Sequence, residues 1–409
     1  MSLENNLIAS IDIWSSKIRT IIWQFGEENK ENFQVLWIWI VESTAIRKGN
    51  ILDMEEFKNN LDKSLEEAEK IAWEQVAWAT ISFNSSHLEV FESKWVVSVS
   101  GDEIEYDDID RVMDMAKNWV DLSNKEILKV IPDYYTVDLE PWIRSPIGMS
   151  ARKLELKANI FAMNSSMLNN IKKAIGDVWI EIHDIYPNLI SAPEWILSKR
   201  QKELWVVTID IWASTTGITV YEEGSLKFAK VIPVWWENVT NDIALWTRVS
   251  IDTAEKLKLE FAEVNRNEEE LISKEIDLKK ISNNEEWKVE TDYLSKIVTA
   301  RYEEIFNFIR EELRYIWKDW MLPEWAVLVW WGSKMKWTVD LAKEILRLPV
   351  AVWTPIEKDS LTSTSISDPI FASVIGTLIL ANKYTKESFG FKLNFIDSII
   401  KMFKKIMPF

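Results

Sequence analysis

Two stretches of this chain carry the same strand, turn and strand pattern, and this duplication constrains the fold more than any other feature. The first, Ile8 to Ile22, reads Ile-Ala-Ser-Ile-Asp-Ile-Trp-Ser-Ser-Lys-Ile-Arg-Thr-Ile-Ile. The second, Val206 to Val220, reads Val-Val-Thr-Ile-Asp-Ile-Trp-Ala-Ser-Thr-Thr-Gly-Ile-Thr-Val. Each predicts a β-hairpin whose first strand carries one aspartate and whose turn is rich in small hydroxyl side chains. Two such hairpins facing each other would clamp a nucleotide.

Tryptophan occupies turn positions at which a phosphate-binding hairpin needs glycine. Trp14 and Trp212 would put an indole where backbone N–H groups must approach phosphate oxygens. The same misfit recurs in Trp330-Trp331-Gly332-Ser333 and in Trp235-Trp236. The chain has 24 Trp and 10 Gly in 409 residues, whereas glycine alone usually makes up about 7% of a protein. We interpret most or all of these tryptophans as glycines encoded by UGA; the alternative is a truly tryptophan-rich protein.

Composition narrows the class of protein. The formal net charge of −17 argues against nucleic acid as a general partner, because phosphate backbones bind basic surfaces. Cysteine is absent, and the first six residues lack the basic and apolar parts of a signal peptide. These features predict a protein of the cytoplasm.

The C-terminal segment reverses the charge of the rest of the chain and predicts a membrane-binding helix. On a helical wheel of residues 393–409 one face carries Ile396, Ile399, Ile400, Phe403, Ile406 and Met407, and the other carries Lys401, Lys404 and Lys405. Such a helix lies in the membrane interface, since it is too short and too charged to span. A helix docked on the protein core is the alternative. The residues predicted to meet an anionic membrane surface are Phe395, Ile396, Ile399, Ile400, Lys401, Phe403, Lys404, Lys405, Ile406 and Met407.

The two hairpins, followed by the apolar strand Ala326 to Val329 and its glycine-type turn, resemble the actin, Hsp70 and sugar-kinase superfamily. Within it the chain resembles the family of the bacterial cell-division protein FtsA. With glycine in place of tryptophan, Val231 to Ala244 carries this narrower resemblance. Ile131-Pro132, together with Ser145 to Ser150, resembles the small domain that replaces an actin subdomain in that family.

The resemblance implies an α/β, actin-like, two-lobed ATPase fold made of duplicated ribonuclease-H-like domains, with a small α+β insertion and a C-terminal amphipathic helix. The insertion is expected to contain two separate strands, Glu126 to Pro132 and Tyr135 to Leu139. The expected domains are IA at 1–83 and 157–200, IC at 84–156, IIA at 201–245 and 314–380, IIB at 246–313, a linker at 381–392 and the helix at 393–409.

By resemblance, the cleft between the lobes would bind ATP and Mg²⁺. Asp12 and Asp210 would approach the metal through water, because Mg²⁺ keeps most of its hydration shell. Lys17 is a candidate charge partner for the phosphates. The residues expected to line the phosphates are Trp14, Ser15, Ser16, Trp212, Ala213, Ser214 and Thr215, and those expected near the rest of the nucleotide are Trp235, Trp236, Glu255, Lys258, Trp330, Trp331, Gly332 and Ser333.

The assignment of Glu255 and Lys258 has an alternative. Glu255 and Lys258, one turn apart on a predicted helix, would flank the ribose and adenine or would simply pair on a solvated helix face. Asn188 is the candidate for orienting the attacking water. An amide can position water but cannot deprotonate it, so slow or absent ATP turnover is expected.

The resemblance implies an ATP-dependent scaffold that polymerises on the inner face of the cytoplasmic membrane and anchors FtsZ filaments at the division septum. The expected partners are the FtsZ C-terminal peptide, other copies of the chain and an anionic membrane. A related pilus-assembly ATP-binding scaffold and a small-molecule kinase of the same fold are the alternatives.

Overall fold

The computed structural model describes residues 7–14, 17–25, 33–47, 49–72, 76–118, 123–212, 215–232, 234, 236–264, 273–282, 285–316, 325–329, 335–353 and 369–383. The strands are β1 Leu7–Ile13, β2 Lys17–Phe25, β3 Phe33–Glu42, β4 Ile46–Arg47, β5 Asn50–Ile51, β6 Trp78–Phe83, β7 Glu89–Ser98, β8 Lys125–Val137, β9 Glu140–Ile143, β10 Lys153–Asn164, β11 Glu181–Pro187, β12 Val206–Ile211, β13 Thr216–Glu222, β14 Ser225–Ile232, β15 Glu275–Asp277, β16 Lys288–Glu290, β17 Ala326–Val329 and β18 Val350–Val352. The α-helices are α1 Met54–Ala72, α2 Tyr106–Asn118, α3 Ser165–Asp177, α4 Asn188–Ile196, α5 Lys199–Glu203, α6 Trp236–Thr247, α7 Ile251–Glu260, α8 Thr291–Tyr315, α9 Thr338–Leu346 and α10 at 372–383.

Two five-stranded sheets with the same topology form the centres of the two lobes. The first has the strand order β11-β6-β1-β2-β3 and the second the order β18-β17-β12-β13-β14. In each sheet three consecutive strands form an antiparallel meander, and two later strands add in parallel beside the first strand of the meander. The duplicated hairpins of the sequence are therefore equivalent parts of duplicated sheets, which confirms the actin-like two-lobed fold.

Helix α1 shows how the sequence builds the layer that covers the first sheet. The Asp53 carboxylate accepts a hydrogen bond from the backbone N–H of Glu56 at 2.9 Å, which caps the start of the helix. Phe57, Leu61 and Leu65 recur at helical spacing and are buried against the sheet. A cap followed by an apolar stripe thus fixes both the start of α1 and the face that it buries.

An α+β unit is inserted between the strands of the first lobe. Its sheet has the order β7-β10-β8-β9, α2 packs on it, and the two share a hydrophobic core of their own. The expectation of two separate strands around Pro132 is wrong, because β8 is continuous from Lys125 to Val137. The pairing with β10 jumps from Tyr134 to Pro132, so Asp133 is the extra residue of a β-bulge.

The bulge directs Asp133 towards the second lobe. Its buried carboxylate pairs with Lys227 of β14 at 2.5 Å and lies 3.6 Å from the ammonium of Lys157. Nearby, the Asn159 amide donates a hydrogen bond to the Leu226 carbonyl at 2.7 Å. The inserted unit therefore contacts both lobes and does not project freely from one of them.

The lobes are joined where α4 and α10 cross. Helix α4 follows the first sheet but contacts β13 of the second, whereas α10, near the end of the second lobe, packs on β2 of the first. The Ser10 hydroxyl of β1 also donates to the Val374 carbonyl of α10 at 3.3 Å. No helix in the described part of the chain is long and apolar enough to span a membrane.

Candidate functional site

The two predicted acids occupy equivalent positions in the two sheets. Asp12 is the penultimate residue of β1 and lies opposite Arg19 of β2 and Ser82 of β6. Asp210 is the penultimate residue of β12 and lies opposite Gly217 of β13 and Val329 of β17. Both carboxyl groups are buried. The same strand in each lobe thus carries one acid to the end that leads into the hairpin turn.

The two hairpin turns are closed in the same way and meet each other. The Trp14 N–H donates to the Lys17 carbonyl at 3.0 Å, and the Trp212 N–H donates to the Thr215 carbonyl at 2.8 Å. The centroids of the two indole rings are 4.3 Å apart, with ring planes at 75°. In addition, the Asn84 amide, which follows β6, donates to the Thr215 hydroxyl at 3.0 Å. The turns from the two lobes therefore face each other across one cleft.

Asp12 lies in a polar cluster on the side of the first lobe. The Asn188 amide donates to the Asp12 carboxylate at 3.4 Å, and the Ser82 hydroxyl donates to the Asn188 side-chain oxygen at 2.6 Å. The Arg19 guanidinium lies 3.5 Å from the same carboxylate. Burial dominates and raises the pKa of Asp12 to about 6, although Arg19 and the hydrogen-bonding neighbours oppose this shift.

Asp210 has fewer compensating neighbours than Asp12. Burial raises the pKa of Asp210 well above its ordinary value, and the negative charge of Asp12 raises it further, while a hydrogen bond with the Trp212 side chain opposes the shift. Its Oδ1 atom is buried without a hydrogen-bond partner. An orphaned carboxylate oxygen beside a second buried acid suits a hydrated divalent cation, since Mg²⁺ prefers oxygen ligands and retains waters. Among the described residues, no group of three or more His, Cys, Asp or Glu could hold a metal without further ligands.

The raised pKa of Asp12 predicts a pH dependence of stability in the absence of nucleotide and metal. The folded chain binds a proton at Asp12 more tightly than the unfolded chain does, so stability falls as the pH rises from the ordinary value of 3.8 to about 6. That span corresponds to a loss of about 3 kcal/mol in the free energy of unfolding. Asp210, whose pKa is also raised by burial, adds a fall of the same sign, so we expect Asp12→Asn to reduce the fall without abolishing it when denaturant unfolding is measured in EDTA from pH 4 to pH 7.

Asp62→Asn, on the exposed side of α1, is the matched control and should keep the pH dependence of the unsubstituted chain. An Asp12→Asn profile parallel to that of the unsubstituted chain would contradict the assignment of the titration to Asp12.

Arg19 is the cation that sequence reasoning missed. Its guanidinium is buried, pairs with Asp12, and lies 3.2 Å from the centroid of the Trp14 ring. Lys17, the residue predicted for this role, pairs with Glu42 of β3 at 3.6 Å, and its side chain is 41% exposed. The signal was present in the hairpin: a turn closed between residues 14 and 17 sets residue 12 opposite residue 19.

The cleft fits a metal-bound polyphosphate at its acids but not between its turns. The acids and Arg19 supply the charges that Mg²⁺ and phosphate require. The Trp14 and Trp212 side chains, however, are only 6% and 7% exposed and fill the space between the two turns. The two indoles contact each other and take up the space that a phosphate chain would need between residues 14 and 212.

Lys258 and Glu255 form a closed polar cluster with a residue of the neighbouring helix. The Lys258 ammonium lies 2.6 Å from the Glu255 carboxylate and donates to the Thr240 hydroxyl at 2.5 Å, and that hydroxyl donates to Glu255 at 2.7 Å. Burial lowers the pKa of Lys258, and Glu255 opposes the shift. Because Lys258 is only 1% exposed, it does not lie on a solvated helix face, which was the alternative for this pair.

The remaining predicted site residues lie outside the described part of the chain or have undescribed side chains. Val329, the last residue before one of these segments, pairs with Asp210. Helix α6 begins at Trp236, whose side chain is not described. The predicted residues outside the description are Ser15, Ser16, Ala213, Ser214, Trp235, Trp330, Trp331, Gly332, Ser333 and the whole predicted membrane helix at 393–409.

Sequence comparison identifies two matching families. The family "Cell division protein FtsA" matches residues 207–376, and the family "SHS2 domain inserted in FTSA" matches residues 85–162. The cell-division protein FtsA of Pseudomonas aeruginosa is 26% identical over 373 residues, which cover 91% of this chain and 88% of that protein. FtsA of Bacillus subtilis is 28% identical over 397 residues, which cover 95% and 87%.

Solved structures support the fold. A PilM–PilN type IV pilus biogenesis complex superimposes with a TM-score of 0.64 at 11% identity, covering 91% of this chain and 97% of that one. MreB5 of Spiroplasma citri bound to AMPPNP superimposes with a TM-score of 0.55 at 12% identity, covering 95% and 99%. At such identities the likeness concerns the fold alone, so it does not favour the pilus-assembly alternative. The two family matches together span more than half of the chain, which is therefore an actin-like cell-division protein of the FtsA family.

Proposed function

We propose that this chain is a nucleotide-binding scaffold that assembles into filaments on the cytoplasmic face of the membrane and anchors FtsZ there during division. The observation that carries the nucleotide part is the pair of buried acids, Asp12 and Asp210, at equivalent places in two facing hairpins. The family membership carries the division part.

The proposed ligand is ATP with Mg²⁺, whose metal would bring positive charge to two buried carboxylates, of which Asp12 already pairs with Arg19. Asp12 and Asp210 would hold the hydrated metal, and Arg19 would face the phosphates. MreB5, a protein of the same fold, binds AMPPNP and ADP. This assignment requires room between the two turns, and the two indoles of Trp14 and Trp212 take up that room.

Weak or absent ATP hydrolysis is part of the proposal. Asn188 is buried beside Asp12, and both ends of its amide already make hydrogen bonds, to Ser82 and to Asp12. An amide held in this way has no basicity with which to take a proton from water. We therefore propose a nucleotide-dependent scaffold, with a small-molecule kinase of the same fold as the alternative.

Contacts around the cleft couple the two lobes. This coupling favours filament assembly that depends on whether a nucleotide is bound in the cleft. Asn84 of the first lobe donates to Thr215 of the second, and α4 and α10 each contact the sheet of the opposite lobe. A change in the angle between the lobes would alter these contacts and the outer surfaces together. We propose that filament assembly favours one such angle.

Membrane attachment is assigned to the helix predicted at 393–409, and FtsZ capture to the helix-rich region around residues 251–313. A single amphipathic helix binds lipid weakly, but many helices arrayed on one filament bind with high avidity. The partners proposed are thus an anionic membrane, further copies of the chain and the C-terminal peptide of FtsZ, and nucleic acid is not among them.

A vesicle flotation assay tests the scaffold function. With vesicles containing phosphatidylglycerol and with FtsZ polymerised by GTP, FtsZ should float with the vesicles only when this protein is present. Ile399→Asp, on the predicted apolar face, should lower vesicle-bound protein and FtsZ on the order of tenfold, because a buried apolar side chain becomes charged.

Ser398→Asp adds the same charge to the polar face of the same helix and is the matched control, expected to float nearly as well as the unsubstituted chain. Equal loss in the two variants would reject the proposed amphipathic mode. FtsZ remaining unbound beside vesicle-bound protein would reject the anchoring function.

A further inference from the structure

Four tryptophans have a backbone conformation that favours glycine. Of the nine non-glycine residues with positive φ in the described part of the chain, Trp142, Trp179, Trp205 and Trp337 have φ values of 66°, 63°, 65° and 64°. The left-handed region brings a side-chain Cβ against the following carbonyl and is disfavoured for any L-residue other than glycine. A residue as bulky as tryptophan has no tendency to enter it.

Trp179 stands at the helix-end position at which glycine is most common. It follows the C-cap residue of α3, and its N–H donates to the Gly176 carbonyl at 3.1 Å. The next N–H, of Ile180, donates to the Ile175 carbonyl at 3.4 Å. This pair of hydrogen bonds defines a Schellman motif, whose left-handed residue is usually glycine. Trp205 holds the corresponding place after the C-cap of α5.

Packing does not explain the indole at Trp179 or Trp337. The Trp179 side chain is 93% exposed and that of Trp337 is 57% exposed, so little apolar burial offsets the strained backbone. Trp337 also stands at the N-cap of α9, where its side chain makes no capping hydrogen bond. A short polar residue or glycine is the usual choice at an N-cap.

Trp14 and Trp212 are misplaced for a different reason. They hold equivalent turn positions, and their rings fill the space between two hairpins whose buried acids and Arg19 suit a metal-bound polyphosphate. Removing both side chains would open that space to a phosphate chain.

We infer that the native polypeptide carries glycine at positions 14, 142, 179, 205, 212 and 337, because the source organism reads UGA as glycine. At the four positive-φ positions glycine relieves the backbone, and at the two turns it opens the cleft for a phosphate chain. Only this last consequence rests on the proposed function. Trp23 and Trp353 are buried in the core and carry no such backbone signal, so the inference is confined to the six positions.

Peptide mass spectrometry of the protein isolated from its source cells, read beside the codons of its gene, tests the inference. Glycine at all six positions, each encoded by UGA, is the expected result. Tryptophan at any of the six, or a UGG codon there, would overturn it. This readout does not depend on nucleotide binding or assembly, so a failure of the inference and a failure of the proposed function can be told apart.

A recombinant chain made with tryptophan at all 24 positions provides a second measurement. Trp179→Gly should raise the midpoint of thermal unfolding by about 2 °C, because it removes left-handed strain from an exposed site. Trp246→Gly is the matched control: Trp246 is 61% exposed but lies in α6, where glycine weakens the helix and should lower the midpoint. A Trp179→Gly chain that unfolds at or below the midpoint of the unsubstituted chain would contradict the backbone argument.

Discussion

Replacing Gly376 with alanine should destabilise this protein more than any other single methyl addition at its described glycines. Gly376 lies on α10 where that helix crosses α4, and an added Cβ would overlap the carbonyl carbon and oxygen of Ser191. The Ala192 nitrogen would also lie 3.3 Å away. These are backbone atoms, so the clash cannot be relieved by turning a side chain, and the two helices must separate.

The cost should reach about 3 kcal/mol or more in the free energy of unfolding, at the upper end for overpacked sites. Separation would also loosen the contact of Val374, Ile375 and Leu378 with β2 of the first lobe. Denaturant unfolding of the full chain measures the effect.

Gly176→Ala on α3 is the matched control for this prediction. An added Cβ there meets no atom within 4 Å, and the backbone is helical, so a stabilisation of up to about 1 kcal/mol is expected. Similar stability of the two alanine variants would mean that α4 and α10 do not cross at Gly376.

The sequence predicted the fold from the duplicated hairpins, and the actin-like architecture is confirmed. The reason is local. Few structures other than a β-hairpin fit an apolar strand with one acid that is followed by a short turn and a second strand. Because the pattern occurs twice, it implies two lobes. The prediction failed at Pro132, where a proline usually ends a strand. The bulge at Asp133 lets β8 continue past it, and bulges depend on the partner strand as well as on the local sequence.

In the site, the sequence predicted the acids but not the cation. Asp12 and Asp210 are recognisable because an acid within an apolar strand is costly to bury and therefore indicates a functional role. Lys17 lies nearer the turn in sequence, whereas pairing across the hairpin places Arg19 opposite Asp12. Sequence alone could not predict that Lys258 is buried, because its partner Thr240 lies on another helix.

We propose that the cleft between the hairpins is a nucleotide site and that glycine at the two turns opens it. Equilibrium binding of ATP in the presence of Mg²⁺, compared between the chain with Trp14 and Trp212 and the Trp14→Gly/Trp212→Gly variant, tests it most directly. Removing two buried indoles opens the space between the turns to a phosphate chain, so the double variant should bind at least about tenfold more tightly.

Asp210→Ala added to the double variant removes the orphaned carboxylate and should return the affinity to that of the chain with both tryptophans. We expect tight binding by the double variant and its loss when Asp210 is also replaced. Equal affinity with tryptophan and with glycine at the two turns, or binding that is indifferent to Asp210, would contradict it.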